Sequence, residues 1–450
     1  MFKRHFIKFK SVFILILLTF STSYSQLPFV TTWQVDTSLR IIIPTKGAGY
    51  NYTVQWEKTT DPTVKGTSTG NVGDATLTLP NQGVYKVSIS GDFPRIYFNN
   101  NPGGYNNLLT VEQWGSIAWT SMENAFQGCF NFNITATDAP DLSKVQSMRN
   151  MFLFCSKLNA PIGHWNVSNV KDMRSMFCYA NTFNQPIGTW DVSNVEDMTL
   201  MFQSAGSFNQ PIGNWNVSKV KSMYGLFYWP NVFNQDISRW DVSNVTDMSY
   251  MFLLNRMFNQ DISTWNVGKV TQMSNMFNMA TSFNQNLGNW NVANVVSMEQ
   301  MLDVTAMSRA NYDATIQGWT QKSGIQNNVK LGAKGLHFCD AAPTRQWLVD
   351  TKGWTIVGDT LKCLVASHTD RMTEESTSIS PNPFIDEFHM VLNPSEKVSV
   401  EVFNTLGVLV YACELTAEAN IINLKNEPSG IYVVKIQSVR GRSAQRMVKQ

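Results

Sequence analysis

Trp190-Asp191-Val192-Ser193-Asn194-Val195-Glu196-Asp197-Met198-Thr199-Leu200-Met201-Phe202 is the stretch that decides the reading of this chain. The same pattern returns every 25 residues, and the tryptophans Trp165, Trp190, Trp215, Trp240, Trp265 and Trp290 keep that spacing without a slip. Asn or Asp and then Val follow each Trp. A Met-x-x-Met-Phe segment comes next, as in Met173, Met176 and Phe177, and most units start it with Met (Met173, Met198, Met248, Met273). Phe-Asn-Gln follows at Phe183, Phe208, Phe233, Phe258 and Phe283, and an aliphatic residue completes the unit at Ile162, Ile187, Ile212, Ile237, Ile262 and Leu287. A fixed period of this length signals a stacked array in which each unit needs its neighbours to bury its faces.

Spacing within the unit predicts its local structure. Val170, Met173, Met176 and Phe177 fall at i, i+3, i+6 and i+7, one face of a short helix. Gln185-Pro186-Ile187-Gly188-Thr189-Trp190 carries Pro and Gly and is expected to be a short extended segment with a turn. The expected fold is therefore a repeat solenoid, α/β with short parallel strands, flanked by all-β sandwich domains at both ends. The Met column admits a copper-site reading and the Trp column an aromatic sugar platform. Helical spacing favours a core ladder for Met; Trp is also read as core, although a tryptophan at a strand end can be half exposed, so the tryptophans and methionines above are read as the structural repeat core. The repeated Asn of Phe-Asn-Gln (Asn184, Asn209, Asn234, Asn259, Asn284) is expected to form a stacked amide ladder that satisfies backbone groups.

The units resemble the 25-residue repeats of BspA-family leucine-rich-repeat surface proteins of bacteria, closely from Met148 to Met301. Upstream, Ala125-Phe126-Gln127-Gly128-Cys129 is similar to the Ala-Phe-x-x-Cys of related shorter repeats, and Asp141-Leu142-Ser143-Lys144-Val145 keeps the register. The resemblance implies a leucine-rich-repeat-like right-handed solenoid with roles in adhesion and surface interaction. Cys129 and Cys155 share the repeat position taken later by Ala180, Ala205 and Ala280, which reads as a small buried residue.

Working outward, residues 26–100 alternate apolar and polar, as in Tyr52-Thr53-Val54-Gln55-Trp56 and Val84-Tyr85-Lys86-Val87-Ser88-Ile89, the pattern of a small β-sandwich. This segment is similar to PKD-like domains, although Trp56-Glu57-Lys58-Thr59 stands where those show Trp-Gly-Asp-Gly. The repeat block is assigned to 101–310. In 311–365 the register fails; helices are expected near Asn311–Trp319 and Ala341–Val349 and a strand at Trp354–Val357, together a cap on the repeat end. Cys339 and Cys363 bracket that cap, and export would allow them to pair. A polar linker spans 366–377. Residues 378–450 alternate again, opening with Ser380-Pro381-Asn382-Pro383-Phe384 and containing Pro428-Ser429-Gly430-Ile431-Tyr432-Val433-Val434-Lys435 before a basic end. They closely resemble the C-terminal sorting domain of type IX secretion, which implies contact with that machinery and release or display at the outer-membrane surface.

The N-terminus reads as a signal peptide over 1–25: a basic start from Lys3 to Lys10, an apolar run from Val12 to Phe20, and Ser23-Tyr24-Ser25 before Gln26. That run is too short to span a bilayer, and the mature chain is expected to lack a transmembrane segment. The 450 residues carry 35 basic and 33 acidic side chains, and 15% of residues are charged. Loss of Lys3, Arg4, Lys8 and Lys10 leaves the mature chain close to neutral, which gives no reason to expect nucleic acid as a partner. The five histidines, His5, His164, His337, His368 and His389, are scattered without paired metal spacing. Asp172, Asp197 and Asp247 recur with the repeat, as a solvated face would. No catalytic residue, metal or cofactor is expected. The expected function is that of a secreted or cell-surface, adhesin-like interaction protein binding a protein or glycan partner. The alternative is a glycan-binding module or accessory subunit.

Overall fold

The structure is a computed structural model that describes residues 26–99, 107–230, 232–363, 377–392, 398–415, 419–438 and 441–450. The expected signal peptide and nearly all of the expected linker lie outside the described residues. The chain divides into two compact units, the first ending at Lys362 and the second running from Cys363 to Gln450.

The N-terminal strands form where apolar residues alternate. In β3 (Asn51–Lys58), Tyr52 and Val54 are buried while Asn51 and Gln55 are exposed. In β6 (Gly83–Asp92), Tyr85, Val87 and Ile89 are buried together. With β1 (Phe29–Val35), β4 (Asp61–Asn71), β7 (Leu108–Gln113) and β8 (Asn133–Ile134) they make a six-stranded sheet in the order β4-β3-β6-β1-β7-β8. It is antiparallel except for the parallel pair β7–β8. A separate antiparallel pair joins β2 (Arg40–Ile43) to β5 (Ala75–Thr78). One continuous buried core runs from Phe29 to Trp354. The sheet is therefore not an isolated sandwich, because β7 and β8 hand its last edge directly to the repeats.

The expected solenoid of the leucine-rich-repeat type is overturned. Between β8 and residue 308 the described chain holds turns and single parallel bridges, such as Asp172 to Asp197 and Asp197 to Ser222, with neither helix nor multi-residue strand. The described residues contain two helices, both after residue 308, and the larger sheets are built on antiparallel pairs. The physical reason lies in two residues per unit with left-handed backbone: Ser175 (φ 52°) and Tyr179 (φ 57°), then Leu200 and Ser204, Gly225 and Trp229, Tyr250 and Leu254, Asn275 and Met279, Gln300 and Val304. A right-handed helix cannot contain such residues, and a strand cannot either. The amide of Met176 donates to Met173 O at 3.2 Å and that of Ala180 to Phe177 O at 3.0 Å, so the Met-x-x-Met-Phe segment is a run of tight turns.

Alternate amides then reach the next unit. Met173, Ser175, Phe177 and Tyr179 donate to the carbonyls of Asp197, Thr199, Met201 and Gln203 at 2.8–3.1 Å, and Glu196 donates back to Lys171 O at 2.8 Å. Each rung is thus tied to its neighbour by about five backbone hydrogen bonds, while i and i+3 spacing keeps Met173, Met176 and Phe177 inward.

Past the repeats, α1 (Arg309–Thr320) is capped by Ser308, whose side chain accepts from the Asn311 amide. The buried Asp313 carboxylate of α1 accepts from the amides of Cys339, Asp340 and Ala341 and so fixes the turn that leads into α2 (Ala342–Lys352). Two short parallel pairs complete this end: β9 (Lys330–Gly332) with β11 (Thr355–Val357), and β10 (His337–Phe338) with β12 (Thr360–Leu361). The second unit holds a three-stranded sheet of β13 (Thr377–Ser380), β14 (Glu387–Leu392) and β17 (Ala419–Asn423). It also holds a four-stranded sheet of β15 (Val398–Asn404), β16 (Leu409–Leu415), β18 (Gly430–Ser438) and β19 (Gly441–Lys449). Both sheets are antiparallel and pack over a core of Phe384, Phe388, Met390, Val400, Val402 and Met447, among others.

Candidate functional site

The consensus residues are committed to holding the rungs together. Trp165, Trp190, Trp215, Trp240, Trp265 and Trp290 are 0–4% exposed, and Met173, Met198, Met248 and Met273 are fully buried. From Trp190 on, each indole Nε1 donates to the aliphatic residue's carbonyl in the preceding unit: Trp190 to Ile162 O at 3.1 Å, Trp215 to Ile187 O at 3.1 Å, Trp265 to Ile237 O at 3.2 Å. The pattern outlasts the sequence register, since Trp319 in α1 donates to Leu287 O at 2.9 Å and Trp354 to Gln326 O at 2.9 Å. These two were missed because insertions after Met301 break the spacing.

The Asn ladder forms on the part-buried surface. Asn184 Oδ1 accepts from the Asn209 amide at 3.0 Å and from Gln210 Nε2 at 3.0 Å; Asn209, Asn234 and Asn259 repeat this one unit on. Asn133 and Asn159 begin it, and Ser308 and Asn311 close it against Asn284. The Asn or Asp after each Trp accepts from the amide two residues on, as Asp191 does from Ser193 at 3.0 Å, the side-chain turn these residues favour. Hydrogen bonding from Ser193 holds the Asp191 carboxyl below its ordinary range, and Asp241 behaves alike beside Ser243. Asp172, Asp197 and Asp247 make the same turn one segment later. Cys339 and Cys363 are disulfide-bonded. Cys129, Cys155 and Cys178 are free and buried, and burial pushes all three thiols up, Cys178 to about 12.

What remains is the outward side of the Met-x-x-Met-Phe turns, where the repeat sets no consensus. The second left-handed position reads Phe154, Tyr179, Ser204, Trp229, Leu254, Met279 and Val304. Tyr179 is 37% exposed, Trp229 49%, Met279 38% and Val304 42%. Tyr224, Tyr228 and Tyr250 stand beside them, half-buried. Phe154 stacks on Tyr179 with centroids 5.0 Å apart, Tyr224 meets Tyr250 at 5.1 Å, and Tyr228 meets Trp229 at 6.4 Å. Burial, with Tyr250 and Asp247 near, raises the Tyr224 hydroxyl. Bulky apolar residues at left-handed backbone carry a local cost of roughly 1–2 kcal/mol each, so the scaffold alone would favour Gly or Asn. Toward the N-terminal end, Arg174 bonds Asp172 in a two-pronged pair (2.9 and 2.6 Å) and approaches Asp197 at 3.7 Å. The one sequence signal for this face is where the repeat varies.

Other concavities are shallow. One of about 410 Å³ lies on the N-terminal sheet among Gln55, Trp56, Lys65 and Lys86, where Trp56 covers Gly66. One of about 550 Å³ lies in the second unit by Asp386, His389 and Lys425. Among the described residues no group of three or more His, Cys, Asp or Glu is placed to hold a metal ion, and no helix is long and apolar enough to cross a membrane.

Residues 120–230 and 210–319 each match the family described as Mycoplasma protein of unknown function. An ulvan lyase of Nonlabens ulvanivorans is 30% identical over 88 residues, 19% of this chain. The alignment spans only 15% of that relative's length. Residues 378–450 match the secretion system C-terminal sorting domain. The chain therefore ends in a type IX sorting domain that engages that export machinery, and the protein is secreted or held at the outer-membrane surface.

Proposed function

We propose that this protein is an adhesin-like interaction protein whose repeat rungs present the outward turn face, from Phe154 to Val304, to an extended partner outside the cell. One observation carries the reading: exposed or half-buried aromatic and apolar side chains stand on six of seven rungs, Ser204 excepted, at backbone positions that would be better filled by Gly or Asn. The likeness of the repeats to BspA-family surface proteins and the export signal support it. Rigid backbone ladders beneath the face lower the ordering cost of binding, and a row of contacts suits a long partner better than a compact one. The role is binding, not turnover, and the short match to an ulvan lyase brings no lyase chemistry with it.

The test is a binding screen of the purified full chain against matrix proteins and glycans. A double variant, Tyr179→Asn with Trp229→Asn, should lose most of the binding to whatever is captured, while its circular dichroism and melting stay those of the parent. Undiminished binding by that variant would assign the interaction to another surface and reject the proposal.

A further inference from the structure

The central part of the face has a distinctive chemistry. Its exposed or half-buried positions over four rungs are Thr199, Leu200, Gln203 and Ser204; Tyr224, Tyr228 and Trp229; Tyr250, Leu253 and Leu254; Ser274, Asn278 and Met279. None of these thirteen carries a charge; the half-buried carboxylates of Asp197 and Asp247, tied to the amides of Thr199 and Ser249, stand at the edge of the set. Hydroxyls, amides and aromatic rings alternate on a backbone fixed by the inter-rung bonds. The main chain beneath is already used: the amides of Leu200, Gly225, Trp229, Tyr250 and Leu254 donate to Tyr224, Ser249, Leu253, Ser274 and Asn278 at 2.8–2.9 Å. An extended peptide therefore cannot add to this surface as an extra strand, the mode in which backbone hydrogen bonds supply the affinity. Recognition has to come from side chains alone, by ring faces and neutral donors and acceptors.

We infer that this face binds an uncharged polysaccharide with an extended pyranose backbone, a deepening that rests on the binding role proposed above. The ring face carries the negative part of its quadrupole, and the axial C–H groups of a pyranose present weakly positive hydrogens to it. The equatorial hydroxyls then point sideways, toward amides and hydroxyls such as Gln203, Ser204 and Asn278. A polymer of identical sugars matches a scaffold of near-identical rungs, whose spacing of about 4.8 Å is close to the length of one pyranose residue. Charge is confined to the edge of the face, where Asp197 and Asp247 accept from their own turn amides, and the uncharged middle, with Trp229 and Tyr228, complements the lack of charge on the polymer. Trp229, the most exposed ring, is the expected anchor, with Tyr228 beside it and Tyr224 and Tyr250 on adjacent rungs.

The full chain would be run through native gels containing laminarin, xyloglucan or galactomannan, with alginate as the anionic contrast, and each glycan that retards it would be titrated by calorimetry. At least one neutral glycan should retard the protein, with affinity unchanged over a roughly tenfold rise in salt. Trp229→Asn, which keeps a residue tolerant of left-handed backbone, should weaken binding roughly tenfold or more, and Lys330→Gln should leave it unchanged. Retardation by none of the neutral glycans, or by alginate alone in a salt-sensitive way, would overturn the inference. In that case a protein ligand lost on Trp229→Asn would still uphold the binding face. A neutral glycan bound equally well by the parent, Trp229→Asn and Tyr179→Asn would overturn both.

Discussion

Trp215 offers a way to measure what holds one rung to the next. Its ring is 3% exposed and lies 6.3 Å from Phe202, and its Nε1 donates to the buried Ile187 carbonyl at 3.1 Å. Trp215→Ala removes a large buried ring, about 3–5 kcal/mol with its cavity. It also leaves the Ile187 carbonyl without that donor, about 1–3 kcal/mol more. The sum is about 4–8 kcal/mol. Trp215→Phe keeps most of the apolar contact and loses the donor, so its cost should be about 1–3 kcal/mol, close to the carbonyl term alone. Because each rung touches only its neighbours, the array need not unfold as one two-state body. The assay is therefore native-state hydrogen exchange, read at amides that tie adjacent rungs, such as Met198 to Ser222 O and Phe202 to Leu226 O, with urea unfolding beside it. Both variants should lose protection most strongly at those amides and least at the far rungs. If Trp215→Phe were as stable as the parent, the indole hydrogen bond would carry no net weight. If Trp215→Ala cost under about 1 kcal/mol, the Trp column would not be what couples the rungs.

The other expectations follow from single contacts. Gly318 in α1 lies so close to Gly288 that an added Cβ would sit 2.5 Å from its Cα and carbonyl oxygen; Gly318→Ala, which should gain about 1 kcal/mol of helix propensity, should instead lower the melting temperature, since backbone contact allows little relief and overpacking costs about 1–3 kcal/mol. Asn255 is fully buried where Ala180, Ala205 and Ala280 stand in other units, its Nδ2 bonded to Phe233 O at 3.2 Å and its Oδ1 unpaired; Asn255→Ala removes the unpaired oxygen but also strips the Phe233 carbonyl of its donor, terms of about 1–3 kcal/mol each and of opposite sign, so urea midpoints should shift little. The carboxyls of Asp141, Asp191, Asp236 and Asp241 are held low chiefly by Ser hydrogen bonds. Their folded-state stabilisation is present above the unfolded value of about 3.9 and is lost as pH falls through the lower folded values, so thermal scans should show stability flat from neutral pH down to about 5 and declining below 4, and Asp191→Asn with Asp241→Asn should flatten that decline.

The period of the repeat was legible because one ring per unit recurs without interruption, and the amide ladder was legible because Phe-Asn-Gln recurs with it. The conformation of the unit was not. Val170, Met173, Met176 and Phe177 satisfy helical spacing, yet consecutive turns satisfy it too, since each turn also returns the chain to the same side after three residues. The deciding variable is the sign of φ at Ser175 and Tyr179. Asn or Gly, which tolerate it, stand at the first position as Asn124, Asn150, Gly225 and Asn275, but Ser175, Leu200, Tyr250 and Gln300 fill it in the other units, and Phe, Tyr, Ser, Trp, Leu, Met and Val fill the second. With Gly128 at a second position, Asn and Gly together take five of the sixteen places, too few to mark the turn in every unit. The cost of left-handed backbone is borne by the five bonds that tie each rung to the next, a tertiary effect that local propensity does not register.

The same fact separates scaffold from function in this chain. Where Trp, Met, Phe and Asn repeat, the side chain is fixed by the rung above and below it, and substitution is read as lost stability. Where the sequence varies, at Tyr179, Ser204, Trp229, Leu254, Met279 and Val304, the backbone is just as fixed but the side chain faces outward and stabilises little. Those positions can change without unfolding the array. A fold that supplies its own cohesion through backbone ladders and buried columns thereby leaves one face free to be shaped by whatever it meets outside the cell. On this surface what stands there is a set of neutral rings, amides and hydroxyls held in register.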